Sequence, residues 1–169
     1  IKSGYKVLDL CTGSGAIAIS LKKEVNDIEV TASDISSRAL DVARKNAKDN
    51  GVSIEFVHGD LLEPFKGKEK FDVIVSNPPY VSKNYAINNI VAHEPSIALF
   101  ADNDGLSNYE KIIKDLDKVL NDNGTVLFEI GYDQNEKIKN ICDKYLNKYS
   151  YECIKDINGN DRIVIIKLL

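Results

Sequence analysis

The sequence predicts a three-layer α/β fold on a seven-stranded, mostly parallel sheet with one antiparallel strand late in the chain. Three observations carry this. Apolar runs of strand length alternate with helical patterns along all 169 residues. A glycine-bearing turn follows the first run. The last two runs are joined by a link too short for a parallel crossover. At 43% hydrophobic and 28% charged, the chain can bury one core, and its composition fits neither a disordered nor a membrane protein.

Tyr5 to Leu10 reads as the first strand, followed by a helix through Ala16, Ile19, Ser20 and Lys23. Ile28 to Ser33 is the second strand. Ser36 can cap the next helix, which carries Ala39, Leu40, Ala43 and Ala47 on one face and stops at Asn50-Gly51. Ile54 to His58 and Phe71 to Ser76 are the third and fourth strands. Val81 to Asp104 is too long for a plain connection, which marks it as a substrate-facing loop. Leu106, Tyr109, Ile113, Leu116 and Leu120 recur at helical spacing and predict one amphipathic helix ended by Asn123-Gly124. Val126 to Ile130 is the fifth strand. Asp133 and Glu136 resemble a capping box for a helix with Ile138, Ile141, Cys142 and Tyr145 inward. Tyr149 to Ile154 and Ile163 to Leu168 complete the sheet, turning at Asn158-Gly159-Asn160-Asp161.

Charge and cysteines narrow the function. A net charge of −4 argues against a protein that grips nucleic-acid phosphates. Cys11, Cys142 and Cys153 have no CxxC spacing and read as free thiols in a reducing cytosol. His58 and His93 have no partner set for a metal, so none is expected. No apolar run has the length of a membrane span, and no signal-peptide pattern opens the chain. A chain without methionine that begins at Ile1 reads as a fragment or trimmed product.

Two segments carry the chemistry. Asn77-Pro78-Pro79-Tyr80 follows the fourth strand, where two prolines end the ladder and hold Asn77 extended at the strand's C-terminal lip. Ligands of open α/β sheets bind at that lip. A side-chain amide, proline carbonyls and an aromatic ring there can grip a planar –NH2 group. A plain strand-exit turn explains the four residues alone equally well. Asp9-Leu10-Cys11-Thr12-Gly13-Ser14-Gly15 joins the first strand to the first helix, where glycines let a ligand approach backbone N–H groups. Gly13, Gly15 and Ala18 match a dinucleotide fingerprint, and Asp34 lies where a carboxylate reaches ribose hydroxyls. Asp9, however, would repel a pyrophosphate and suits the ammonium of S-adenosylmethionine. Asp60 is a third acid at the same lip, placed to accept from an adenine amino group. Capping or turn making explains Asp34 or Asp60 singly; together the three acids favour a cationic, phosphate-free ligand.

With these segments the chain resembles the class I S-adenosylmethionine-dependent methyltransferases, of Rossmann-like fold. It is most similar to the HemK/PrmC family, which methylates the glutamine side chain of peptide chain release factors. The likeness runs over essentially the whole chain. Val75-Ser76-Asn77-Pro78-Pro79-Tyr80 is typical of enzymes acting on planar amino groups. His93-Glu94-Pro95, Asp104-Gly105-Leu106, Phe128-Glu129-Ile130-Gly131 and Asp156 to Arg162 are narrower likenesses to the glutamine enzymes. The resemblance implies cofactor contacts from Asp9, Cys11, Thr12, Gly13, Ser14, Gly15, Asp34, Ile35, Asp60, Leu61 and Asn77. It implies amide binding by Asn77, Pro78, Pro79 and Tyr80, with Asn77, Pro78 and Tyr80 as the catalytic set. Glu94 is expected to anchor its loop, and Tyr85 and Tyr109 to pack.

Two positions depart from the family pattern: Cys11 replaces a usual glycine, and Leu61 an often aromatic residue. The family's N-terminal helical domain has no counterpart in residues 1–169, which read as one methyltransferase domain. A cytoplasmic monomer is expected, with a release factor as protein partner and no stable nucleic-acid or membrane binding. The rival readings are an amino-group methyltransferase acting on adenine or on a ribosomal-protein glutamine, an NAD-binding oxidoreductase, and a non-catalytic remnant. Lys83 is the one positive charge between Asn77 and Asp104, which offers little to a phosphate backbone.

Overall fold

A strand inside a parallel sheet must be covered on both faces, and β1 (Lys6–Leu10) meets that demand: Val7, Leu8, Asp9 and Leu10 are all buried. The computed structural model describes residues 1–68, 70–79, 81–82, 100–101 and 105–169. It places β1 between β2 (Glu29–Asp34) and β4 (Phe71–Ser76), parallel to both. β3 (Glu55–His58) pairs outside β2. Two short strands, β5 (Val81–Ser82) and β6 (Phe100–Ala101), form a separate parallel ribbon that the sequence reading did not foresee. β7 (Leu120–Glu129) pairs outside β4, and β9 (Asp161–Leu168) runs antiparallel to both β7 and β8 (Tyr149–Lys155). The sheet order is β3-β2-β1-β4-β7-β9-β8, with β9 as the late antiparallel strand.

The sheet splits the core in two. On one face Leu8, Leu10, Ile74, Val126, Phe128, Val164 and Ile166 share a cluster with helix residues Ile112, Ile113, Leu116, Ile138 and Cys142. These helix residues come from α3 (Ser107–Lys114), α4 (Leu116–Val119) and α5 (Asn135–Tyr145). On the other face Val7, Val30, Ala32 and Val73 cluster with Ile28 and with Ala18 of α1 (Ala16–Glu24). Leu40, Ala43 and Ala47 form the buried face of α2 (Ser37–Asp49), whose N-terminus is capped by Ser36 accepting from the Ala39 N–H at 3.2 Å. Among the described residues no helix is long and apolar enough to cross a membrane.

Three local expectations are corrected. The helix expected from Leu106 to Leu120 is two helices broken at Asp115, whose N–H turns to the Ile112 and Ile113 carbonyls. The Asp115 carboxylate there takes Lys66 at 2.8 Å and Lys118 at 2.5 Å. Leu120 belongs to β7, paired with Phe71. Asn123-Gly124 therefore lies inside that strand, at a bulge where the register slips before Val73 meets Thr125. Asn123 takes a left-handed φ of 62°, and a Cβ on Gly124 would sit 2.6 Å from Leu120 Cγ, so glycine is required there. The Asp133–Glu136 capping box does not form. Gln134 occupies the cap position and turns its Oε1 back to accept the Gly131 N–H at 2.9 Å.

Tyr109 packs, as expected, with no exposure. Its ring meets Phe128 edge-on, centroids 5.2 Å apart, and its hydroxyl donates to the Glu129 carbonyl at 2.7 Å. Tyr109→Phe keeps the ring contact and removes the hydrogen bond, so the unfolding free energy in urea should fall by about 1 kcal/mol. An unchanged denaturation midpoint would contradict that role.

Candidate active site

The register of the parallel strands decides which residues meet. Leu10 stands level with Ser33 on one side and Ser76 on the other, so Cys11, Asp34 and Asn77 each occupy the next step at the sheet's C-terminal edge. Asp34 is level with His58, which puts Gly59 and Asp60 just past the end of β3. Every described residue expected at the site therefore lies along one continuous edge, in the order β3, β2, β1, β4. Tyr80, Tyr85, His93, Glu94 and Asp104 fall outside the described residues, as does most of the loop expected to face substrate.

Asp9 is the buried centre of this edge, 1% exposed. Strand alternation puts it on the Val7 face, beneath α1. Gly15, at the start of α1, has no side chain to cap the helix and takes φ 82°; Asp9 caps it from below, its Oδ2 accepting the Ala18 N–H at 3.0 Å. The same oxygen accepts the Thr12 hydroxyl at 2.6 Å. Oδ1 has no partner. It and Ser33 Oγ are the two buried, unpaired side-chain polar atoms among the described residues. Burial outweighs the Thr12 and Ala18 hydrogen bonds and, with the Asp34 charge adding to it, lifts the Asp9 carboxyl from an ordinary 3.8 to about 6.

Three N–H groups of the glycine loop are spent inward. Thr12 N–H donates to the Ser33 carbonyl (2.9 Å), Gly13 N–H to Asp34 Oδ2 (2.9 Å) and Gly15 N–H to the Thr12 carbonyl (2.9 Å). These donors are not open to a pyrophosphate, which weighs against the dinucleotide alternative. Space remains at Gly13, where φ is +56° and a Cβ would meet nothing within 4 Å. Gly15 is the opposite: a Cβ there would press Ala43 Cβ at 3.0 Å, so glycine lets α1 and α2 approach. Asp34 also makes the turn into α2, its Oδ1 accepting the Ser36 N–H at 2.9 Å. The turn-making role and the place at the sheet's C-terminal edge belong to the same residue.

Cys11 sits in a backbone conformation that favours glycine. Its φ is +63°, a conformation glycine adopts freely, and a thiol here carries that strain. Burial, then the Asp34 charge, with Asp9 and Asp60 adding to it, pushes the thiol up to about 12 against a hydrogen bond from Ser76, so it stays protonated at neutral pH. Ile35 is 54% exposed beside the acids, with its carbonyl 2.9 Å from His58 Nε2. Asp60 is exposed, its carbonyl accepting the Glu63 N–H, and Leu61 follows at φ +44°. Asn77 is exposed, Pro78 buried and Pro79 half-buried.

Two supporting residues escaped the sequence reading. Asn46 of α2 donates to the Ser14 carbonyl at 2.9 Å and pins the glycine loop; it flanks the small-residue face of Ala43 and Ala47, and that adjacency was the available signal. Asn108 of α3 reaches the Pro79 carbonyl at 3.4 Å, a tertiary contact with no local signature. Among the described residues no group of three or more His, Cys, Asp or Glu side chains could hold a metal ion.

Residues 2–97 match the methyltransferase small domain family. The chain is 41% identical over 169 residues to the release factor glutamine methyltransferase of Lactococcus lactis, covering 98% of this chain and 62% of that protein. It is 44% identical over 168 residues to the protein of the same name from Staphylococcus aureus, covering 95% and 59%. The chain thus spans about 60% of the length of these curated relatives. Among solved structures, a methyltransferase from Pyrococcus furiosus superposes with a TM-score of 0.75 at 24% identity, covering 98% of this chain and 75% of that one. A ribosomal protein L11 methylase from Lactobacillus delbrueckii gives 0.71 at 26%, covering 100% and 72%.

The raised Asp9 carboxyl has a stability consequence. The folded state holds this proton more tightly than the unfolded chain, so stability from this group declines as pH rises from about 4 through 6, by up to about 3 kcal/mol. Asp9→Asn should be more stable than the parent at pH 7, with the difference shrinking toward pH 4 in urea titrations. A difference independent of pH would show that Asp9 is not the titrating group.

Proposed function

The chain belongs to the methyltransferase small domain family, with the class I methyltransferase fold, and from that premise we propose that it transfers a methyl group from S-adenosylmethionine to the side-chain amide nitrogen of the glutamine in the Gly-Gly-Gln loop of peptide chain release factors. The observation that carries the substrate class is the identity of 41–44%, over 95–98% of this chain, to release factor glutamine methyltransferases. On this reading residues 1–169 are the catalytic domain of a cytoplasmic enzyme acting as a monomer. The free state of all three cysteines agrees with a reducing compartment.

The residues present fit the cosubstrate. Asp9 Oδ1, buried and unpaired, would accept the ammonium, with Thr12, Gly13, Ser14 and Gly15 forming the loop beside it and Gly13 leaving open space there. Asp34 would take the ribose hydroxyls and Asp60 the adenine amino group, with Ile35 and Leu61 as aliphatic walls and Cys11 as packing at the centre. When bound, S-adenosylmethionine supplies a methyl carbon already made electrophilic by its sulfonium. The chain's own task is alignment of a poor nucleophile. Asn77 Oδ1 and the Pro78 carbonyl would accept the two N–H bonds of the glutamine amide, fixing its plane and favouring the positive charge that develops on nitrogen. Pro79 stiffens this exit, and Tyr80 would cover the amide face. Alignment of this kind can supply roughly 7–11 kcal/mol. The N–C bond would form as the C–S bond breaks, and the surplus proton of the positively charged nitrogen would pass to water, so no strong general base is required.

A second reading, methylation of an amino group in nucleic acid, shares the Asn77–Pro79 grip. The net charge of −4 disfavours it.

Intact-mass analysis of a release factor incubated with this chain and S-adenosylmethionine should show one added methyl, absent when asparagine replaces the glutamine of the Gly-Gly-Gln loop. Asn77→Ala should abolish that transfer while leaving S-adenosylmethionine affinity within about threefold, since one lost contact of several costs little. Near-normal turnover by the variant would remove Asn77 from the mechanism.

A further inference from the structure

The Asp156–Arg162 segment has no part in the chemistry above, yet it is a built feature. It is the tip of the β8–β9 hairpin. The Asp156 Oδ1 accepts N–H groups from Asn158 (2.9 Å) and Asn160 (3.0 Å), and its Oδ2 meets Arg162 Nη2 at 3.2 Å. The Asp156 N–H closes the loop on the Asn160 carbonyl at 2.8 Å, and Gly159 turns it at φ +81°. This ordered tip holds Ile157 wholly in solvent. In the loop after β7, Tyr132 is 64% exposed. The two loops are tied at their roots: Ile130 N–H donates to the Arg162 carbonyl at 2.9 Å, and Asn135 Nδ2 to Asp161 Oδ2 at 2.9 Å.

Register puts both side chains on the edge that carries Asn77. Ser76 is level with Phe128, Glu129 with Ile163, and Ile163 with Ile154. Tyr132, past the end of β7, therefore lies beside Asn77 on the side away from the acids of β1, β2 and β3, and Ile157 lies farther along the same edge, at the β8–β9 tip. An ordered backbone that holds a large apolar group in water can serve as an anchor where a partner buries it. The hairpin's cations are already paired, Arg162 with Asp156 at 3.2 Å and Lys155 with Asp161 at 3.8 Å, so the corner offers no clamp for phosphates.

We propose that Ile157 and Tyr132 are docking anchors for a folded protein substrate, gripping its surface beside the loop that carries the reactive amide. This rests on the glutamine reading above and extends it to a surface outside the amide pocket. The test compares methyl transfer to a folded release factor and to a short peptide containing Gly-Gly-Gln, for the parent chain, Ile157→Ser and Tyr132→Ser. Each variant should raise KM for the folded protein about tenfold, the effect of losing the burial of one large apolar side chain on binding. kcat, peptide turnover, S-adenosylmethionine affinity and Tm should stay unchanged. Parent-like KM on the folded protein would overturn the docking role alone. Equal loss on protein and peptide would also overturn it, by placing the residues in the amide pocket or the fold. No transfer by the parent chain to either substrate would overturn the glutamine reading and this inference with it.

Discussion

The carboxylate of Asp9 is the interaction on which the rest of the site depends. It sits under the N-terminus of α1, in the helix's positive field, and caps a helix whose own first residue has no side chain to do so. By holding Thr12 and Ala18 together it fixes the exit angle of the chain from β1. That angle places Cys11, Gly13 and Gly15 along the sheet edge, level with Asp34 and Asn77. The cost is a buried charge with one oxygen unpaired, which protonation near pH 6 or a bound cation relieves. One residue thus joins the stability of the first strand–helix unit to the ligand it can accept.

Most of the fold was legible because strand alternation and helix caps are local. Ser36, Asn50-Gly51 and the Phe71–Ser76 run each announced their elements through immediate neighbours. The failures were tertiary. Asp115 stands at the break of a periodic helix and pairs there with Lys66, nearly fifty residues earlier in sequence. Gln134 displaces the expected Asp133 cap by folding back on Gly131. The bulge at Asn123-Gly124 reads in sequence as a helix stop, since an Asn-Gly pair with a left-handed residue serves both features, here with Asn123 at φ 62°.

The site was legible for a different reason. Parallel strands gather residues that are far apart in sequence, so acids and amide at strand ends must meet once the strand order is right. What no pattern could show was the inward use of the loop N–H groups, which decides between a pyrophosphate and a cation. Asn46 and Asn108 were likewise invisible, since each acts through a single distant carbonyl.

The way the sheet divides its core also bears on how the protein is made. β1 to β4 are complete once residue 76 has been synthesised, and α1 and α2 already cover one of their faces. The other face, with Leu8, Leu10 and Ile74, waits for Ile112, Ile113 and Leu116, some forty residues later. On the ribosome the growing chain therefore passes through an interval in which a half-sheet displays an apolar surface that Leu62 and Phe65 cover only in part. A chaperone acting on this protein has most to protect in that interval.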